Sequence, residues 1–493
     1  MANESRSIIG QLIKITRMYD TPLLEALKKA AQKPHSAFYA PGHKQGTGCD
    51  RAFIDLIGKT ALTADLPELP ELDNLFAPEG AIKEAQNLAS QTFGAEKTWF
   101  LVNGSTCGIM ASILATCGTG DKIILPRNIH SSAIAGLILS GAIPVFIQPE
   151  YDNREGLAYN VTPQAVEQAL KQHPDTKAVM MLHPTYQGVC GDLKAIADLT
   201  HRYDIPLLVD EAHGAHFAFH PDLPPSAMSV GADLTVQSTH KVLSAMTQAS
   251  MLHIQGDRVC SQRISKALGL VQSTSPSYLL LASLDAARQQ MASDGKELMT
   301  RTIELATEAR KIATIPNLSI LEPKLHSGCH HIDITRLTIN VSQLGITGFE
   351  ADKILHELGV TCELPLLHHL SFIISLGNTS QDIQQLIQAC KTLSPTHSTP
   401  LLSQTYPLPS QTLPLPISPR DAYFAVTESI PITEASDRLC GELICPYPPG
   451  IPLLMPGEIV TTEVIEYLKQ ILTMGGTITG CNDTTLQTIQ VIK

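Results

Sequence analysis

Short apolar runs recur along the first half of the chain at a spacing that only a layered fold can absorb. They fall at Trp99 to Val102, Ile123 to Leu125, Val145 to Ile147, Ala178 to Leu182, Leu207 to Val209 and Leu234 to Val236. Each is too short for a buried helix and too continuous for a strand with one wet face, so each reads as a strand covered on both sides. Helical patterns fill the gaps. Ile82, Ala85, Ala89 and Phe93 mark the face of one helix, and Leu193, Ile196, Leu199 and Tyr203 the face of another. Strands separated by crossovers of roughly ten or more residues pair in parallel, which predicts an α/β fold with a mostly parallel, doubly wound sheet.

Open sheets of this kind bind ligands outside the carboxyl ends of their strands. Two predicted strand ends carry chemistry. The run Ile205-Pro-Leu-Leu-Val209 leads into Asp210-Glu-Ala-His213, and thirty-one residues after Asp210 the run Val236-Gln-Ser238-Thr-His240 places Lys241. An amine for an aldehyde, hydroxyl and imidazole donors for a phosphate, and a carboxylate for a pyridine nitrogen are together what a pyridoxal phosphate site needs. An ionised Asp210 keeps such a nitrogen protonated, which turns the ring into an electron sink. Ala212 is small enough for the ring to lie flat against the backbone, and His213 is placed to reach the ring hydroxyl. The spacing Asp210-x-x-His213-x-x-His216 also suits metal ligands. No His-Glu-x-x-His or cysteine pair accompanies it, so no metal is expected.

A second phosphate anchor is expected upstream. Phe100-Leu-Val-Asn103 is an apolar run ending in Gly104-Ser105-Thr106, and the following Ile109 to Ala115 is helical in composition. Backbone amides at a helix N-terminus, with two hydroxyls beside them, hold an anion without a further cation. Gly104 permits the tight turn. An ordinary helix cap would use the same residue types.

Past about residue 285 the pattern changes. Helical Ala282 to Ala313 gives way to the alternating Leu337-Thr-Ile-Asn-Val341 and then to a helix over Gly348 to Leu358, as in a smaller α+β domain. The predicted division is an N-terminal segment (1–60), a large domain (61–285), the small domain (286–393), a Pro/Ser/Thr-rich linker (394–419) and a C-terminal module (420–493). A hydrophobic content of 43% with 17% charge suits a globular chain, and the net charge of −12 argues against nucleic acid as a partner. Met1-Ala-Asn-Glu-Ser-Arg lacks a secretory pattern, and no apolar stretch approaches the ~18 residues of a membrane span. The eleven cysteines are scattered, without Cys-x-x-Cys spacing, as in a reducing cytoplasm.

The run from Ser238 through Lys241 to Thr247-Gln-Ala-Ser250 resembles the pyridoxal-attachment signature of the bacterial ornithine, lysine and arginine decarboxylases. The resemblance continues in the family's order along nearly the whole chain. It takes in Phe38-Tyr-Ala-Pro-Gly-His-Lys-Gln-Gly46, Leu72-Asp-Asn-Leu75, Arg127-Asn-Ile-His130, Pro184-Thr-Tyr186, Asp210 to His216, Ser273-Thr-Ser-Pro276 and Pro446 to Pro452. It implies a fold-type-I pyridoxal phosphate-dependent architecture, with His130 stacked on the ring and Ser105, Thr106, Ser238 and His240 on its phosphate. It also implies that Ser273, Thr274 and Ser275 reach the phosphate of a neighbouring subunit, hence a homodimer with shared sites. One departure stands out: Ser131 follows His130 where the family usually has lysine.

The expected reaction is decarboxylation of a basic amino acid, with Lys241, Asp210 and His130 as catalytic residues. Glu363 and Glu458, in family-like motifs, are candidates for the distal cation of the substrate. Arginine is favoured over lysine and ornithine, because the short chain resembles the compact biosynthetic members that feed polyamine synthesis. Two other readings share the same residues: a different fold-type-I activity such as an aminotransferase or aldolase, and a catalytically silent regulatory homologue.

Overall fold

The computed structural model describes residues 20–322, 328–393, 415–447 and 450–493. Its centre is a seven-stranded sheet of β1 (Lys97–Leu101), β2 (Lys122–Pro126), β3 (Ile143–Ile147), β4 (Thr176–Leu182), β5 (Leu207–Asp210), β6 (Leu234–Gln237) and β7 (Ser250–Ile254), in the order β1-β7-β6-β5-β4-β2-β3. Strands β3, β2, β4, β5 and β6 pair in parallel, while β7 runs antiparallel to both its neighbours, β6 and β1.

Alternation along the strands explains why both faces are covered. Ile123 and Leu125 of β2, Met180 of β4 and Leu208 of β5 pack into one core with the helices Gly104–Thr116 and Ser131–Ser140. Their neighbours Ile124, Val179 and Val209 pack into another, against the helices Pro163–Gln172 and Leu193–Arg202. Helix 104–116 lies close on the sheet because Gly108 has no side chain: a Cβ there would meet Leu101 and Val236 at 2.7 Å. That close approach brings the helix N-terminus to the strand ends where the site forms.

The six apolar runs of the first half all fall on strands of this sheet, with Val102 one residue past β1, and Ile82, Ala85, Ala89 and Phe93 are buried on helix Ala81–Phe93. Four readings need correction. Tyr203 lies just beyond its helix and is 39% exposed, so the apolar stripe ends at Leu199. Strand β7 went unrecognised, because it is reached through the short loop after Lys241 and not through a helical crossover. The helical stretch read from Ala282 to Ala313 starts earlier, at Tyr278, and ends at Ala309 before a short 3-10 segment, Arg310–Thr314. The boundary at residue 285 therefore falls inside one continuous helix, whose Asp285 and Arg288 pair within the core and bind the backbone at Leu23 and Asp20.

The small domain is a four-stranded antiparallel sheet, in which Arg336–Asn340 and His369–Ile373 are central, with helices Gly348–Glu357 and Ser380–Thr392 on it. Most of the predicted linker, residues 394–414, lies outside the described residues. The C-terminal module starts with helix Pro419–Phe424 and builds its own core from strands Thr427–Pro431 and Thr488–Ile492 and helix Thr462–Thr473. Among the described residues no helix is long and apolar enough to cross a membrane.

Candidate active site

The carboxyl ends of β1, β2, β5 and β6 converge, and with them the residues singled out from the sequence. Asp210 is the last residue of β5 and is 4% exposed. Its side chain accepts one hydrogen bond, from the Ala212 amide at 3.1 Å. Burial pushes the Asp210 carboxyl up, opposed by the nearby charges of His130 and Lys241 and by that amide. A carboxylate this deep, with one donor and no ion-pair partner among the described residues, is costly to keep charged unless a cation joins it. A protonated pyridine nitrogen is such a cation.

Lys241 lies in the short helix Thr239–Val242 that follows β6, with Nζ 2.9 Å from His213 Nε2. Burial lowers the Lys241 ammonium from its ordinary range; Asp210 and Glu363 oppose this and Arg336 adds to it. His213 is driven well below the usual imidazole range by burial and then by the Lys241 charge, so it is neutral, and its Nδ1 has no hydrogen-bond partner. His213 thus contacts the reactive amine itself. His130 caps helix 131–140: its Nδ1 accepts from the Ser132 amide at 3.1 Å, which leaves Nε2 to carry the ring proton. Burial lowers its pKa, and the Asp210 charge opposes that. Ser131, at the family's usual lysine position, is the first residue of this helix.

The two anion anchors meet. Ser238 Oγ donates to Ser105 Oγ at 2.8 Å, joining the loop before Lys241 to the first turn of helix 104–116. That helix has no side-chain cap, because the Asn103 side-chain Oδ1 accepts from the Ser273 amide at 3.1 Å, so its leading amides stay available to an anion. Gly104 turns the chain with φ +73°, and Thr106 is exposed beside it. His240 Nδ1–H donates to the Ala249 carbonyl at 2.9 Å, which leaves Nε2 as the free ring nitrogen, a donor to a phosphate in the imidazolium form. Ser275 N–H donates to Ser273 Oγ at 3.1 Å, and this loop sits exposed next to the chain's own cup. The residues fit pyridoxal phosphate: an uncapped helix end with clustered hydroxyls, a buried acid lacking a cation, and a half-buried lysine.

The two acids proposed for substrate binding part ways. Glu363 is exposed and near enough for its charge to act on Lys241, His240 and Arg336. Glu458 is not free to hold a substrate cation. Both its oxygens pair with Arg127 Nη2, at 3.1 and 2.9 Å, and it accepts the Met455 amide at 3.0 Å. Arg127 also donates to Pro452 and Leu453 carbonyls, so the pair fastens the C-terminal module to the end of β2. Glu458→Ala is expected to cost about 3 kcal/mol, because a buried cation loses its partner. Thermal unfolding should show a lower midpoint while KM for the amino acid changes little.

Three residues without a role assigned from the sequence complete the site. The Tyr186 ring lies 4.5 Å from that of His213, with Lys241 Nζ 5.5 Å from its centre. Arg336, 2% exposed, donates to the His213 carbonyl at 3.3 Å. Asp333 binds His216 Nε2 at 3.1 Å and lies 3.7 Å from Arg336 Nε. His216 therefore serves this buried junction between large and small domains. Tyr186 had a signal in Pro184-Thr-Tyr186; Asp333 and Arg336 had none, being brought to the site by the small-domain sheet.

Comparison with known proteins agrees with this geometry. Residues 21–335 match the family model "Orn/Lys/Arg decarboxylase, major domain", and residues 410–486 match "Orn/Lys/Arg decarboxylase, C-terminal domain". The chain is 41% identical over 481 residues to an arginine decarboxylase of Bacillus subtilis, covering 96% of this chain and 98% of that protein. It is 40% identical over 485 residues to an arginine decarboxylase of Halalkalibacterium halodurans, covering 97% and 99%. The solved lysine decarboxylase LdcF of Francisella novicida superposes with a TM-score of 0.84 at 23% identity, over 100% of this chain and 84% of that one, and so shares the fold. With a matching major domain over more than half its length, and with the lysine, acid and phosphate cup in place, the chain belongs to the Orn/Lys/Arg decarboxylase family of pyridoxal phosphate-dependent enzymes.

Proposed function

We propose that this enzyme binds pyridoxal phosphate through Lys241 and decarboxylates arginine, ahead of lysine or ornithine, to the amine that feeds polyamine synthesis. Identity of about 40% to proteins named arginine decarboxylase, over almost the full length of each, carries the substrate. When bound, the cofactor supplies the sink for the electron pair left at the α-carbon as carbon dioxide departs. The chain supplies the rest. Asp210 holds the proton of the ring nitrogen, and its burial makes that pairing strong. Ser105, Thr106, Ser238 and His240 would hold the cofactor's phosphate, Ala212 would leave room for its ring, and His130 would lie against it. Lys241, lowered by burial, is brought toward the neutral amine needed for attack, with His213 one hydrogen bond away to exchange a proton. The ammonium form of Lys241, or the imidazolium form of His130 through Nε2, would then return a proton to the α-carbon. Glu363 is the carboxylate for the guanidinium, and a planar fork on a carboxylate separates arginine from lysine.

The test offers arginine, lysine and ornithine in parallel to the purified enzyme, with trapped carbon dioxide and the amine product measured. Fastest release from arginine supports the reading; release from none, with amino-group exchange instead, would favour an aminotransferase. The active unit is a homodimer whose Ser273, Thr274 and Ser275 serve the partner's phosphate. Mixing Lys241→Ala protein with a variant carrying alanine at all three positions should then restore one intact site per hybrid dimer. Mixtures that stay inactive despite proven subunit exchange would count against sharing.

A further inference from the structure

A cavity of about 500 Å³ lies where the large domain, the small domain and the C-terminal module meet. Sites for small organic ligands span about 300–1,000 Å³. It is separate from the cofactor cup: Lys241, Asp210, His213 and His130 are all absent from its lining. Tyr186 is the common wall. It lines the cavity, and its ring packs 4.5 Å from that of His213, whose Nε2 holds Lys241.

The lining specifies a ligand class. Leu182, Leu366, Leu453 and Ile471 give apolar walls suited to a methylene chain. Among them, Asn128 Oδ1, His368 Nδ1 and Gln470 Oε1 are buried without a hydrogen-bond partner. Asn128 Nδ2 donates to the Tyr159 carbonyl at 3.1 Å, which fixes the other amide atom as an acceptor. Burial pushes His368 down to about 4, so it brings no charge at neutral pH. Of the carboxylates lining the cavity, Glu458 is paired with Arg127 at 2.9 Å and Glu155 with His369 at 3.0 Å, while Glu463 has no ion-pair partner among the described residues. An anion would face Glu463 and the amide oxygens of Asn128 and Gln470, and a purely apolar ligand would leave those oxygens unmet. A hydrogen-bond-donating cation on an aliphatic stem satisfies both.

We infer that this cavity is a regulatory site for aliphatic amines of the product class, acting on Lys241 through Tyr186. The inference rests on the decarboxylase reading, since that reaction generates such amines. Binding there alters the packing of Tyr186 on His213, and so lowers turnover without competing for the active site.

The probe is agmatine, the amine left when arginine loses its carboxylate, offered by equilibrium dialysis to holoenzyme whose cofactor has been fixed to Lys241 with borohydride. One saturable site per chain is expected. Gln470→Leu, which removes an acceptor at similar volume, should weaken it about tenfold, and Leu366→Trp, which fills the space, should abolish it. In steady-state assays on unreduced enzyme, added agmatine should lower kcat in the wild type and raise only KM in Gln470→Leu. Should Leu366→Trp misfold, Gln470→Leu decides. No stoichiometric binding to the reduced enzyme, or binding unchanged by Gln470→Leu, overturns the proposal. Because dialysis does not depend on turnover, absent carbon dioxide release from arginine alongside intact binding would refute the substrate assignment alone.

Discussion

Lys241→Ala is expected to lower turnover by at least about 10⁴-fold, on the scale seen when a covalent catalytic residue is removed. The variant loses the amine that takes the cofactor aldehyde, and no neighbouring residue replaces it. His213 Nε2, the atom 2.9 Å from Nζ, is an imidazole nitrogen and cannot form the same link. The phosphate cup does not involve the lysine side chain, so the variant should still hold cofactor loosely. Visible absorbance, borohydride reduction and peptide mapping separate the outcomes: the wild type should carry the reduced label on Lys241, and the variant should carry none. A label mapped to any other lysine would remove Lys241 from its assigned role.

Asp210→Asn is expected to lower turnover by about 10²- to 10³-fold with the fold intact. An amide cannot hold the ring nitrogen's proton by charge, and loss of one member of a buried charge pair costs about 3–5 kcal/mol, part of it felt at the transition state. The amide oxygen can keep the 3.1 Å bond from Ala212, so the strand end should not move. Cofactor retention measured beside kcat distinguishes the cases. Near-normal kcat with cofactor bound would exclude Asp210 from the mechanism.

How much of this site could be read from the sequence follows from how locally each part is determined. Gly104, Ser105 and Thr106 come with their own helix, and Ser238, His240 and Lys241 share one short segment, so each motif carries its geometry with it. Asp210 was readable because a run buried on both faces ends there. Glu458 misled because a motif reports the residue and not its partner: Arg127, 331 positions away, claims both its oxygens.

Local periodicity, turn chemistry and residue type thus determined the strands, their mostly parallel pairing, and the placement of Gly104 to Thr106, Ser238, His240 and Lys241 at strand ends. These depend on interactions within a few residues, or on alternation that any buried strand must show. The tertiary structure alone decided what sits behind those motifs. It set β7 antiparallel, ran one helix through the expected domain boundary, turned His216 away to Asp333, and placed Tyr186 between the reactive lysine and a second cavity. Each depends on contacts between segments far apart in the chain, whose pairing is fixed by packing and by the need to partner buried charges, and no local pattern encodes that.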